Sequence, residues 1–472
     1  MSTQSPCTLV QLAVQNLLRD KVLTVEAVED LPGELFPLVF MEAFARGHTE
    51  VLKAMVLSWP FPSLPLRALM RMRKLETSQI QLDVVHMDKR NLETFQAVLD
   101  ALDEILTQKV YNRRLKLQVL DMRIMHQNFW NVWTGNHLET SSSGSRKRRK
   151  TEKSEQKVAE KKQVTIILDL WIRQSHLGLF QSYLLKWVQE RKGFVKLSCS
   201  KLHIKDSYSQ TTTEILEMLN LGSVQEVDVG QCWKLHTLAC FAPYLGQMQN
   251  LQKITLSDIS EPSFISTERR EQLVTQITSQ FLKLHCLQEV YMDSVSFLEG
   301  KLDQMLRCLV FPLETFSLTH CKLSQTDWNQ LPQNAHLRQL KHLDLSGTSL
   351  TDFNPEPLRV LLDNVATTLT TLHLESCRIT DNQLCAILPS LSRCTQLTTF
   401  CFIKNSISTG AMKNLLCHTA GLSNLNLELY SVPQDVYVPR HNVHQQRQIQ
   451  ASEALRIVNQ LNYPRIRVHE SQ

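Results

Sequence analysis

Leu369-Thr370-Thr371-Leu372-His373-Leu374-Glu375-Ser376-Cys377-Arg378-Ile379 sets the fold, because its apolar residues fall at the spacing of a short strand followed by a tight turn. Leu397-x-x-Phe400-x-Phe402-x-x-Asn405-x-Ile407 repeats the whole pattern, and Leu340-x-x-Leu343-x-Leu345 repeats its first half. Looser copies begin at Val224, Leu251, Leu287, Leu313 and Leu422, giving successive intervals of 27, 36, 26, 27, 29, 28 and 25 residues. The one long interval holds an insertion. These are leucine-rich repeats. Each unit leaves an apolar face that only the next unit can cover, so the chain is read as an α/β leucine-rich-repeat solenoid, a horseshoe with an N-terminal helical region.

Between the strands lie helical patterns. Leu358, Leu361, Leu362 and Val365 share one face at i, i+3, i+4 and i+7, and Leu384, Ile387, Leu388 and Leu391 do the same. Leu358-Arg359-Val360-Leu361-Leu362 also spells the Leu-x-x-Leu-Leu helix that docks on nuclear receptors. Its leucines coincide with the face the solenoid needs, so they are assigned to the core. Upstream, Leu117-x-x-Leu120-x-Met122, the stretch 164–168 and Val195-x-Leu197 are further strand candidates.

Residues 1–45 read as helical, with Ser5-Pro6 as a start signal. Residues 46–140 form an N-terminal cap with a first repeat, 141–163 a basic insertion, 164–432 the repeats, and 433–472 a C-terminal cap and tail. A cap helix is expected over Val443 to Asn462.

The 472 residues carry a net charge of +5, but it is unevenly spread. Residues 146–162 contain nine Lys or Arg against three Glu, a local +6 that leaves −1 for the rest. The basic character belongs to one polar tract, expected to be disordered, and direct nucleic-acid binding is not expected. Its cluster Arg146-Lys147-Arg148-Arg149-Lys150 has the composition of a nuclear import signal. No apolar run reaches the roughly 18–20 residues a membrane span needs, and Met1 to Leu18 lacks the pattern of a secretory signal. The expected location is cytoplasmic and nuclear. The twelve cysteines form no Cys-x-x-Cys pair, so buried thiols rather than a metal site are expected, Cys321 and Cys377 sitting inside repeat turns. No glycine-rich phosphate loop, nucleophile elbow or zinc signature is present. No catalytic residue and no cofactor is assigned, and the chain is read as non-enzymatic.

Two surfaces are candidates for binding. In each strand the residues beside the leucines face the open, concave side, and the ionisable ones are Glu226, Asp228, Lys253, Glu289, Tyr291, Asp293, His342, Asp344, His373, Glu375 and Glu428. Seven carboxylates against one lysine suggest an acidic groove for a basic segment of a target protein, with Glu289, Tyr291, Asp293, His342, Asp344, His373 and Glu375 at its centre. At the N-terminus, Leu9, Ala13 and Leu17 form a stripe at i, i+4 and i+8 whose small central residue admits a partner's backbone. This stripe resembles the elongin-binding box of cullin-RING substrate receptors, with Ala13 where the box usually has cysteine. Leu31-Pro32-Gly33-Glu34-Leu35 resembles the cullin box that follows it.

The chain as a whole resembles the PRAME family of leucine-rich-repeat proteins, in particular its PRAME-like and oogenesin-like germ-cell members. The carrying segments are Asn16-Leu17-Leu18-Arg19-Asp20, Leu31-Pro32-Gly33-Glu34-Leu35-Phe36-Pro37-Leu38-Val39-Phe40-Met41-Glu42-Ala43-Phe44, Leu52-Lys53-Ala54-Met55-Val56 and Leu115-Lys116-Leu117-Gln118-Val119-Leu120-Asp121. Pro243-Tyr244-Leu245-Gly246-Gln247-Met248, Thr278-Ser279-Gln280-Phe281-Leu282 and Leu388-Pro389-Ser390-Leu391-Ser392 continue the series. The resemblance implies a substrate-recognition adaptor of a cullin-RING ubiquitin ligase of the cullin-two class. Elongin B/C would dock through Leu9, Ala13 and Leu17, the cullin core through Leu31, Pro32 and Leu35, and a target protein on the repeats. It also implies roles in transcriptional repression, differentiation, apoptosis and proliferation. The alternative is a ligase-independent nuclear corepressor scaffold that binds nuclear receptors or transcription factors.

Overall fold

The computed structural model describes residues 8–71, 89–107, 112–123, 163–173, 179–205, 208–262, 264–431, 433 and 466–469. The import cluster Arg146–Lys150, the Ser5-Pro6 start signal and the cap helix expected at 443–462 lie outside these residues. The chain divides into two compact units, one holding 1–170, 175–200 and 217–220, the other 171–174, 201–216 and 221–472.

Unit one begins with helix α1 (Leu9–Leu17), capped reciprocally by Thr8 and Gln11, and α2 (Lys21–Ala27), whose cap Asp20 accepts from the amides of Val22 and Leu23. Buried Thr24 donates to the carbonyls of Leu17 and Asp20 and so holds the two helices together. Helix α3 (Phe36–Arg46) starts with Pro37 in its first turn and stops at Gly47, which takes a left-handed φ of 71°. Its Phe36 and Phe40 meet the buried Trp59 edge-to-face at 5.8 and 5.5 Å, beyond α4 (Thr49–Leu57). Then follow β1 (Ser63–Leu64), α5 (Leu66–Arg71), α6 (Lys89–Leu106), β2 (Val119–Asp121), β3 (Val164–Ile172), α7 (Leu179–Glu190) and β4 (Val195–Ile204). Strands β1, β2, β3 and the first half of β4 are neighbours in that order. Arg191, after α7, pairs with Asp103 of α6 at 2.6 Å and lies 4.4 Å over the Trp187 ring, which fixes α7 against α6.

Unit two includes the second half of β4 and most of α8 (Gln210–Met218), while the short β5 (Leu219–Asn220) belongs to unit one and pairs with its half of β4. From there one strand per repeat is laid in parallel, with a helix or turn between: β6 (Glu226–Lys234), α9 (Leu235–Leu245), β7 (Lys253–Ser260), α10 (Thr267–Thr278), β8 (Glu289–Val295), α11 (Leu302–Leu306) and β9 (Thr315–Thr319). The series continues with α12 (Gln325–Gln330), β10 (His342–Asp344), α13 (Glu356–Val365), β11 (Thr371–His373), α14 (Asp381–Leu391), β12 (Thr399–Cys401), α15 (Thr409–Thr419), β13 (Leu427–Ser431) and β14 (Ile466–His469). The motif leucines, such as Leu343, Leu345, Leu372 and Leu374, are buried between sheet and helices. Leu358, Leu361 and Leu362 are buried too, so the Leu-x-x-Leu-Leu sequence is core.

Turn chemistry stitches neighbouring repeats. Two residues past the last core position of each strand the chain turns left-handed, at Asp258, Ser294, His320, Gly347, Ser376 and Lys404. Gly347 is the glycine of the series, and a side chain there would meet the ring of His320. In the later repeats the next residue points inward and donates to a carbonyl of the preceding repeat. Cys321 does so to Met292, Thr348 to Leu318, Cys377 to Leu345 and Asn405 to Leu374. Burial pushes the Cys321 thiol up to about 11 and the Cys377 thiol to about 12, so both stay neutral donors.

Two readings need correction. The last repeat begins at Leu425, not Leu422, because Phe400 pairs with Glu428 in register. Leu425-x-x-Glu428-x-Tyr430 therefore matches Leu397-x-x-Phe400-x-Phe402, and the interval becomes 28 residues. Glu428 is buried and accepts from Tyr430 Oη at 2.6 Å and Thr419 Oγ1 at 3.1 Å, so it leaves the open face. Leu427 and Leu429 take that face instead. The second correction is β14, a further parallel strand beside β13 where the sequence suggested only a tail.

Candidate functional site

Helices α1 and α2 turn only a narrow side inward. Val14, Leu18 and Val28 are buried, while Leu9 is 85% exposed, and Val10, Leu12, Val22, Leu23 and Val25 are exposed as well. Ala13 is exposed and Leu17 half-buried, so most of the elongin-box stripe is accessible. Of the cullin-box residues, Pro32 is exposed and Leu35 half-buried, but Leu31 belongs to the core and its carbonyl accepts from Arg114 at 2.8 Å. A soluble surface seldom carries so many contiguous aliphatic side chains unless another molecule covers them.

In unit two the sheet face turned away from the helices is the second candidate. Its residues align in rows across the strands. Lys201, Glu226, Lys253, Glu289, Thr315, His342, Thr371 and Thr399 form the first row. His203, Asp228, Thr255, Tyr291, Ser317, Asp344, His373 and Cys401 form the second.

Apart from the buried Glu428, each predicted carboxylate has a partner on a neighbouring strand or turn. Lys201 contacts Glu226 at 2.7 Å and Lys253 stands 3.9 Å from Glu289. Lys253 also lies 4.6 Å over the Tyr291 ring, whose hydroxyl donates to Glu289 at 3.1 Å. Asp228 takes Lys205 and His203, Asp293 takes His320 at 2.9 Å and Thr319 at 2.7 Å, and Glu375 takes Lys404 at 2.8 Å. His373 Nδ1 stands 3.8 Å from Asp344. His342 is exposed. The face is thus a lattice of alternating charge rather than a purely acidic groove.

Burial alone would raise Asp228, but His203 and Lys205 outweigh it and hold its carboxyl below the usual range. Asp344 behaves alike, lowered by His373 and by the amide and hydroxyl of Ser346 against the effect of burial. Burial, then the Glu289 charge, pushes the Tyr291 phenol up.

Sequence reasoning missed Lys201, His203, Lys205 and Trp171, which stacks on His203 with centroids 4.7 Å apart and planes within 3°. Strand β4 runs ten residues, so its second half carries Lys201 and His203 well past the short Val195-x-Leu197 signal, while Lys205 follows its last residue and Trp171 stands on β3. Lys404 was hidden because it sits in the turn after β12, not on the strand.

The profile of the PRAME C-terminal domain matches residues 164–470, and that of the PRAME N-terminal domain matches 6–88 and 78–130. The chain belongs to the PRAME family. PRAME family member 12 of Homo sapiens is 47% identical over 437 residues, which cover 93% of this chain and 86% of the relative. PRAME family member 20 of Homo sapiens is 46% identical over 437 residues, covering 93% and 88%. Among solved structures, an internalin from Listeria monocytogenes overlaps 57% of this chain and 74% of its own at 17% identity and a TM-score of 0.34. Among the described residues of this PRAME-family chain no helix is long and apolar enough to cross a membrane, and no group of three or more His, Cys, Asp or Glu side chains is placed to hold a metal ion.

Proposed function

We propose that this PRAME-family protein is a non-catalytic substrate-recognition adaptor of a cullin-RING ubiquitin ligase, working in cytoplasm and nucleus. The observation that supports it best is the uncovered aliphatic surface of α1 and α2, Leu9, Val10, Leu12, Ala13, Val22 and Leu23. Elongin B/C would cover the α1 stripe, and the cullin would reach the adjoining Pro32 and Leu35. The target protein would lie on the open sheet face, around Glu289, Tyr291, Asp293, His342, Asp344, His373 and Glu375. Held there, its lysines gain effective concentration near a charged conjugating enzyme, with no chemistry asked of this chain.

Leu9→Arg with Ala13→Arg tests the proposal. Both positions are exposed, so the fold should survive, while two charges enter the apolar contact. Co-purification of elongin and cullin should be lost, together with ubiquitination of the bound target. Retained elongin binding in the double variant refutes the assignment. If binding is lost but the cellular effect persists, the protein acts as a ligase-independent corepressor scaffold.

A further inference from the structure

The first row of the open face alternates in sign, Lys201, Glu226, Lys253, Glu289, on four adjacent strands, and the uncharged Thr315 follows. Their side chains are 34–45% exposed, so each can meet a partner as well as its neighbour. Resting on the reading that a target lies on this face, we propose that the β4–β8 part of it receives an α-helix of the partner. The helix would lie across the strands and carry acidic and basic side chains alternately at successive turns.

Three observations carry the choice of a helix. Strands β6, β7 and β8 are hydrogen-bonded on both sides, so no edge is free to add a peptide strand. Neighbouring strands lie about 4.8 Å apart, close to the helical pitch of about 5.4 Å, so one side chain per turn meets one strand. An extended segment repeats its same-face side chains every ~6.6 Å and falls out of phase within two strands. The row has almost no net charge, so it attracts neither an acidic nor a basic stripe as such. A helix carrying Glu-Lys-Glu-Lys down one side satisfies all four positions. One carrying Glu-Glu-Lys-Lys satisfies two and repels at two. Trp171, stacked on His203, and Tyr291, under Lys253, supply flat aromatic surface at either end of the charged stretch.

The test uses three labelled synthetic peptides of equal composition, measured by fluorescence anisotropy against the full chain at low salt. One is helical with the alternating stripe, one is helical with the blocked stripe, and one keeps the alternating sequence but is broken by proline. Equal helicity of the first two is checked by circular dichroism. The alternating helix should bind about tenfold more tightly than the blocked one, with the advantage fading at high salt. Glu226→Lys with Lys253→Glu rearranges the row into two like-charged pairs at constant net charge and should reverse the preference. Glu226→Gln with Lys253→Gln, which adds no repulsion and so spares the fold, should abolish it. Equal affinity for both helices, no binding of either, tighter binding of the proline peptide, or a preference unmoved by both variants overturns the helix assignment. A photo-crosslinking residue at Thr255, in the middle of the face, tests the underlying reading separately. Protein crosslinks there without peptide discrimination sink the helix alone, and their absence sinks target binding on this face.

Discussion

Replacing Asp327 by alanine is expected to destabilise the middle of the solenoid more than its place in a six-residue helix suggests. The residue is 3% exposed, and its carboxylate accepts four hydrogen bonds. Two come from Ser324, through the amide at 3.0 Å and the hydroxyl at 2.7 Å, closing the capping box of α12. The others come from the preceding repeat, from the amides of Gly300 at 2.6 Å and Leu302 at 3.1 Å. Losing the box costs about 1 kcal/mol. The buried Leu302 amide, left without an acceptor, costs about 1–3 kcal/mol, whereas water can reach the exposed Gly300. The total is about 3 kcal/mol. Asp327→Asn keeps one acceptor oxygen but turns an NH₂ toward the amides, and should lose about half as much. Urea denaturation at neutral pH measures both, and hydrogen exchange at the Leu302 amide locates the effect. A loss below about 1 kcal/mol for the alanine variant, or unchanged protection of Leu302, would refute the idea that this carboxylate ties one repeat to the next.

The remaining predictions concern titration, thiols and the last repeat. Asp228 and Asp344 are held below the usual carboxylate range, so their stabilisation is present above about pH 5 and lost as pH falls through their lowered folded values. In urea titrations, wild type should therefore exceed Asp228→Asn in stability at pH 6, and the gap should close toward pH 3. A gap that widens on acidification contradicts the ion-pair geometry. Cys377 and Cys394, both pushed up to about 12 by burial, should resist maleimide at pH 8 in the folded chain, while exposed Cys240, Cys286, Cys385 and Cys417 label. Mass mapping that finds Cys377 modified as fast as Cys385 refutes the turn structure. Tyr430→Phe removes the donor 2.6 Å from buried Glu428 and should lower stability by about 1–2 kcal/mol in the same urea assay. No change would restore Glu428 to the open face.

The repeat from Val224 to Leu397 was legible because period-two burial and a fixed turn leave little freedom in where the leucines fall. It failed at the last repeat for a physical reason. Leu422, Leu425 and Leu427 satisfy the motif's spacing, yet pairing with β12 forces Glu428 inward, and its acceptors are met by Tyr430 and Thr419. Strand β14 was invisible because only its pairing with β13, not its composition, marks Ile466–His469 as sheet. The open face was legible residue by residue but not in its electrostatics. Counting charges within each motif gives an acidic surface, whereas Lys201 enters from the long strand β4, Lys205 from just past its end and Lys404 from a turn. Net charge on a repeat protein is a property of neighbouring repeats together.

Leucine spacing alone does not tell a docking helix from a packing helix, and this chain contains both. The Leu-x-x-Leu-Leu of α13 looks like a recognition motif, yet Leu358, Leu361 and Leu362 are all buried and α13 packs against α14. The α1 stripe looks less distinctive in sequence, yet Leu9 and Leu12 stay in solvent, and full burial on this helix and its C-cap is confined to Val14 and Leu18. What separates the two cases is the supply of a neighbour. A repeat helix has the next repeat beside it, whereas among the described residues the outer face of α1 stays exposed. A partner there removes apolar area from water without first displacing part of the fold, at roughly 25 cal/mol for each Å². For α13 the same partner would have to unpack the solenoid first. Arginine at Leu9 should therefore weaken partner binding while leaving the melting temperature almost unchanged. Arginine at Leu361 should lower the melting temperature steeply, and any loss of binding it causes should track the fraction unfolded. If the two variants lose stability to the same degree, α1 is a packing helix and the docking assignment falls.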